Sequence, residues 1–140
     1  MDEKSRKLNA LYSATTYRVF VPAGPPIDVR VGARSSELDL LLTRQGAATW
    51  AFITACNPCS QPVPAADNEA RHAELLSALK ASGRRYLTAV GIPNSGEWEP
   101  EASAIVLDIA TEDAIALARR FGQNAIVAGR RGGEAELVYC

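Results

Sequence analysis

Residues 50–91 read WAFITACNPCSQPVPAADNEARHAELLSALKASGRRYLTAVG, and this stretch decides the fold class. Trp50 to Ala55 is an apolar, β-type run. Cys56 to Pro64 holds Pro58, Pro62 and Pro64 and reads as loop, because proline lacks a main-chain donor and blocks helix propagation. A helix is predicted from Asp67 or Asn68, with His72, Leu75, Leu76 and Leu79 on one stripe. It ends before Gly83, where the left-handed terminating conformation is cheap. Tyr86 to Gly91 is a second β-type run. Strand, loop, helix and strand together form the repeating unit of a sheet covered by helices.

The same pattern extends outward. Ser35-Ser36 offers a cap for a helix carrying Leu38, Leu41, Leu42 and Gln45 ahead of Gly46. Thr111 is the predicted cap of another, with Glu112 and Asp113 favouring its positive end and Ala114, Leu117, Ala118 and Phe121 on one face before Gly122. A fourth helix covers about Glu3 to Ser13. Further β-type runs are Tyr17–Val21, Ile27–Val31, Ala104–Ile109, Ala125–Ala128 and Glu136–Tyr139. Hairpin-like connections lie at Pro22–Pro26 and Arg130–Gly133. The expected fold is α/β or α+β: one domain over residues 1–140, a single mixed sheet of six or seven strands, and three to four helices packed on it. The strands on either side of the 50–91 helix are expected to pair in parallel through a crossover.

Composition limits the function classes. Fifteen Lys and Arg against sixteen Asp and Glu give a net charge of -1, which argues against a strongly basic nucleic-acid binder and an acidic disordered tail. The longest nearly apolar run, Ala47 to Cys56, falls far short of the roughly 20 residues a bilayer span needs. The opening residues Met-Asp-Glu-Lys-Ser-Arg-Lys lack the apolar core of a secretory leader. A soluble, cytoplasmic protein without membrane contact is expected. Three cysteines, an odd count, argue against a disulfide scaffold.

Two loops hold the candidate site. The first runs from Thr54 to Arg71, leaving an apolar strand and entering a helix, where unpaired N–H groups attract anions. Asn57, Ser60 and Asn68 add neutral hydrogen-bonding groups, and the planar fork of Arg71 suits a carboxylate or phosphate. A small anionic ligand is the predicted partner. The structural alternative makes Asn57-Pro58 a turn, Asn68 a helix cap, and Arg71 the i,i+4 partner of Asp67. In the second loop, Pro93 to Ser103, Trp98 offers an aromatic wall and Glu97, Glu99 or Glu101 an acid or base. Otherwise Trp98 plugs the sheet end and the carboxylates are solvated. Parallel flanking strands would open both loops on one edge, so Asn57, Arg71 and Trp98 are expected to share a polar pocket.

Other chemistries have weaker support. Cys56-Asn-Pro-Cys59 with Pro93 downstream suggests a thioredoxin-like pair, but Pro62 and Pro64 keep a helix from starting at the second cysteine. His72 and Cys140 do not complete a zinc set, so no metal is expected. His72, on an apolar stripe, is expected to be packed and hydrogen-bonded. Arg84-Arg85, Arg119-Arg120 and Arg130-Arg131 would form a nucleic-acid footprint only by converging. No GxGxxG or P-loop is present, and no cofactor is expected. Gln123 and Asn124, at a helix-to-strand corner, suit either loop backbone or a ligand.

Several of these residues form an ordered set. Tyr12, Thr15 and Tyr17 come first, then Val29 to Gly32 and Ile53-Thr-Ala-x-Asn57-Pro58-x-Ser60. Asn68 and Arg71 follow, then Gly96-x-Trp98 with Glu101-Ala-Ser103, and finally Leu117 to Val127. The set resembles the bacterial family known as domain of unknown function 3293, over about residues 11–138. Ala102 departs from the proline expected there, and Cys56 and Cys59 fall at variable positions. The family has no assigned activity, so the resemblance implies candidate positions and no chemistry. Two function classes follow: a small-ligand domain using the two loops, or a protein-interaction module in which they are scaffold.

Overall fold

The runs Thr49–Thr54 and Glu101–Leu107 are largely buried on both faces, and both become central strands of one seven-stranded sheet. The computed structural model describes residues 2–96 and 99–140. Its elements are α1 (Glu3–Ser13), β1 (Thr15–Val19), β2 (Ile27–Val29), α2 (Ser36–Gln45) and β3 (Thr49–Thr54). After a short 3-10 turn, Pro58–Ser60, come α3 (Ala65–Ala81), β4 (Tyr86–Pro93), β5 (Glu101–Leu107), α4 (Thr111–Arg120), β6 (Ala125–Arg130) and β7 (Glu136–Tyr139). The fold is α+β.

The strand order is β2-β1-β4-β5-β3-β6-β7, and every ladder is antiparallel. This corrects the expected parallel pairing of β3 with β4. The chain turns back after β4 and pairs β5 against it, placing Gly91 opposite Glu101. β5 therefore lies between β3 and β4, antiparallel to both. β3 and β4 run the same way without touching, so the loops that follow them still open on one edge. The sheet also curls. Val31, beyond β2, forms a parallel bridge with Ala135, just before β7, and Gly32 N donates to Ala135 O at 2.7 Å.

Side-chain alternation divides the core between the two faces of the sheet. Val29 and Ala135, from opposite ends of the strand order, join Trp50, Phe52, Ile105, Leu107 and the α2 leucines Leu38, Leu41 and Leu42 in one cluster, which marks the inner face of the curl. On the outer face Ala51, Ile53, Val106 and Ile126 meet Leu75 and Leu79 of α3 and Ala114, Ala118 and Phe121 at α4.

Helix ends follow local chemistry with two corrections. Ser35 caps α2 by accepting from Leu38 N, and Gly46 closes it with φ 65°. α3 starts at Ala65, ahead of the expected Asp67 or Asn68, because Pro64 precedes it with φ fixed at −55° and Asn68 uses its side chain elsewhere. Thr111 is the first residue of α4 and not its cap; Ala110 holds that place without a side-chain bond, leaving Glu112 and Asp113 to complement the helix dipole. Among the described residues no helix is long and apolar enough to cross a membrane. Three arginines of the Arg-Arg pairs make structural contacts: Arg84 with Asp113 at 3.2 Å, Arg85 with Gln45 O, and Arg120 over the Phe121 ring.

Candidate functional site

Strand alternation continues beyond the packed inner core toward the edge where β3 and β4 end and β5 begins. There the inward positions are Thr15 and Tyr17 of β1, Gly91 and Pro93 of β4, Glu101 and Ser103 of β5, Phe52 and Thr54 of β3, and Ala125 and Val127 of β6. They line a cavity of about 70 Å³. Leu11 and Tyr12 of α1 form one side, and Cys56, Asn57, Ser60 and Gln123 another. One water needs roughly 10–15 Å³ of such space, so the cavity has room for several waters or a small organic group.

The loop after β3 is bent by three non-glycine residues in the left-handed region: Asn57 (φ 47°), Cys59 (φ 57°) and Ser60 (φ 58°). Asparagine tolerates that region; cysteine and serine do so at a cost of order 1–3 kcal/mol each, and only where neighbours over-determine the backbone. Here they do. Cys59 N donates to Gly122 O at 2.7 Å, and Asn124 Nδ2 donates to Ser60 Oγ at 2.8 Å. Asn57 and Asn68 exchange two bonds: Asn57 N donates to Asn68 Oδ1, and Asn68 Nδ2 donates to Asn57 Oδ1, both at 2.9 Å. Val63 N also donates to Asn57 Oδ1 at 3.1 Å. With its oxygen doubly occupied, Asn57 directs Nδ2 at Glu101 Oε2, 2.6 Å away.

Among the described residues Glu101 is the one carboxylate that lines the cavity, and no Lys or Arg lines it. Burial raises its proton affinity above the ordinary carboxylate range, and the Asn57 bond offsets part of that. Burial likewise pushes the Tyr12 and Tyr17 phenols up, and the nearby Glu101 charge adds to both. The buried Cys56 thiol is also pushed up, chiefly by burial, and donates to Ala102 O at 3.5 Å. It lacks the lowered pKa that a redox thiol needs.

Residues 53–126, just over half of the chain, match the family model described as Protein of unknown function (DUF3293). The chain belongs to the DUF3293 family. No curated protein and no solved structure matches it. The DUF3293 match runs from Ile53 in β3 to Ile126 in β6, so it contains the strained loop, α3, Glu101 and Gln123. The walls supplied by Tyr12, Thr15, Tyr17 and Phe52 lie ahead of it.

Of the residues expected at the site, Asn57, Ser60 and Glu101 line the cavity, and Asn68 stands behind Asn57. Arg71 is placed differently. Its Nε donates to Ala55 O at 2.6 Å and its Nη2 to Phe121 O, which ties the end of β3 to the end of α4. It forms no part of the lining, and among the described residues no ion pair joins it to Asp67 or Glu74. Trp98, the expected aromatic wall, lies outside the described residues, as does Glu97. Among the described residues the aromatic wall comes from Tyr12, Tyr17 and Phe52. Gln123 satisfies loop backbone: its Nε2 donates to Cys56 O at 3.0 Å and to Phe121 O at 3.3 Å, and the residue also lines the cavity. His72, expected to be hydrogen-bonded, instead has a buried Nδ1 without a partner among the described residues, and burial lowers its proton affinity.

Proposed function

We propose that this DUF3293 chain binds a small molecule in the cavity at the mouth of its curled sheet. One observation carries the reading: Glu101 sits among aromatic and aliphatic walls with, among the described residues, one amide donor and no cation beside it. A carboxylate taken from water without a compensating charge is costly, and such sites in structural cores are paired or replaced by apolar residues. A concave, mostly apolar space with a few convergent polar groups and one titratable group of shifted proton affinity is the usual form of a ligand site.

The two loops do contribute to this site, through Cys56, Asn57 and Ser60 on one side and Pro93 and Glu101 on the other. An anionic ligand held by Arg71 has less support, because the guanidinium is engaged by two main-chain carbonyls outside the lining. The interaction-module reading rests on exposed Phe20, Leu40 and Tyr139, which belong to three separate segments of the fold. A carboxyl with raised proton affinity also suits general acid–base work, which makes catalysis on the bound molecule the second reading.

Gly91 provides the test. A Cβ there would meet Thr15 Cγ2 at 3.8 Å and Tyr17 Cε1 at 3.9 Å, ordinary contacts inside the cavity. Gly91→Val should therefore fold and fill the space. Ligand-observed NMR with a fragment library should give binders to the wild-type protein that the filled variant loses. Equal binding by a folded Gly91→Val protein would remove this cavity from consideration.

A further inference from the structure

We propose that the cavity selects a small organic cation, an amidinium or ammonium group that gives N–H donors to Glu101 and Gln123. This rests on the reading of the cavity as a ligand site. The argument is an inventory of donors and acceptors. Most hydroxyl donors in the lining are directed at main-chain carbonyls: Thr15 at Leu11 O, Thr54 at Ala102 O, Ser103 at Glu101 O, Tyr12 at Ala125 O and Tyr17 at Tyr12 O. Ser60 Oγ accepts from Asn124 Nδ2 and, among the described residues, has no acceptor for its own O–H. Gln123 Nε2 has its two carbonyls, and Asn57 Nδ2 has Glu101. The acceptors are not used up in the same way. Among the described residues nothing donates to Glu101 Oε1 or to Gln123 Oε1, although Gln123 is nine-tenths buried and lines the cavity.

A cavity whose donors are mostly committed and whose acceptors are open complements a ligand that brings donors. The charge balance points the same way, since among the described residues the lining holds a carboxylate and no Lys or Arg. A cation would convert the uncompensated carboxylate into a hydrogen-bonded ion pair, and Tyr12, Tyr17 and Phe52 would enclose it with aromatic walls. An anion would meet repulsion from Glu101 and find little beyond the Ser60 hydroxyl to donate to it.

Acetamidinium, acetamide and acetate have nearly the same shape and differ in charge, and all three are small enough for the space. Each is titrated into isotope-labelled protein, following the Gln123 and Asn57 side-chain amide resonances. Acetamidinium should bind at least tenfold more tightly than acetate, with acetamide between them. Glu101→Gln should weaken acetamidinium to the level of acetamide, and Gly91→Val should abolish binding of both. Tighter binding of acetate, or acetamidinium binding that Glu101→Gln leaves unchanged, overturns the choice of a cation while the ligand site stands. If neither these three compounds nor the fragment library moves the cavity resonances, the ligand site itself falls, and this inference with it.

Discussion

Asn57 Nδ2 lies 2.6 Å from Glu101 Oε2, and the amide cannot turn away because Asn68 and Val63 both donate to its oxygen. The carboxylate thus receives a fixed dipole and no charge. Tyr12, Tyr17 and Cys56, the other titratable groups that feel Glu101, are neutral and have raised proton affinities of their own. The native carboxyl holds its proton more tightly than the ordinary value of 4.5. The stability this gives is fully present below that value and is lost as pH rises through the raised native one. Glu101→Gln has no such proton. Its Tm should exceed that of the wild type near pH 7, and the difference should vanish as pH falls toward about 4. Parallel Tm profiles for the two proteins would mean that the carboxylate is compensated after all.

Arg71→Ala should destabilise the protein by about 2–3 kcal/mol, since hydrogen bonds to charged groups contribute roughly 1.5–3 kcal/mol and two carbonyls would be left without their donor. Ala55 O and Phe121 O belong to segments 66 positions apart in the chain, given by 121 minus 55. Lysine can reach one of them but lacks the planar fork, so Arg71→Lys should fall between wild type and alanine. Urea denaturation measures both. A change below about 0.5 kcal/mol for Arg71→Ala would show that water replaces the guanidinium without loss.

What the sequence reveals here is mainly local. Seven strands and four helices follow from period-two and period-3.6 patterns and from caps such as Ser35 and Gly46. Strand order depends on non-local pairing, and the insertion of β5 between β3 and β4 has no signature at any one residue. The same division runs through the site. Asn57, Ser60 and Glu101 are recognisable because polar residues cluster in proline-broken loops. Tyr12, Tyr17 and Phe52 look like ordinary core, and only the curl of the sheet shows that this end of the inner face is open. Gly91 carries a weak signal, a glycine inside a strand marking a close approach or unfilled space. The placement of Arg71 is not legible for a physical reason: an arginine one turn into a helix looks the same in sequence whether it faces solvent or two carbonyls.

The two loop cysteines differ in environment. Cys56 is buried with its thiol pushed up, and Cys59 is exposed. A thiol reagent should modify Cys59 quickly and Cys56 only as the protein unfolds, because reactivity requires both thiolate and access. A double Cys→Ser variant should fold, with serine able to keep the bond to Ala102 O. Fast modification of Cys56 in the folded protein near pH 7 would reopen thiol chemistry at this site.

Gly122 and Gly83 allow backbone strain to be separated from packing at the site. Both have φ 72°, so alanine at either should cost about 1–2 kcal/mol for the left-handed conformation alone. Their surroundings differ. A Cβ at Gly83 would have nothing within 4 Å, whereas at Gly122 it would lie 3.0 Å from Pro58 Cβ and 3.8 Å from Arg71 Nη2. Pro58 follows Asn57, and Gly122 O accepts from Cys59 N, so the strained loop is pressed against this corner. Gly122→Ala must either move Pro58 or distort the corner, and Asn57 would move with it. Gly122→Ala should therefore be the less stable of the two variants in urea denaturation. It alone should shift the Asn57 side-chain amide resonance and weaken whatever the cavity binds. Equal stability, with the Asn57 signal in place, would show that the loop holds its shape without support from Gly122, and that the bonds from Asn68 and Val63 are enough to position Asn57.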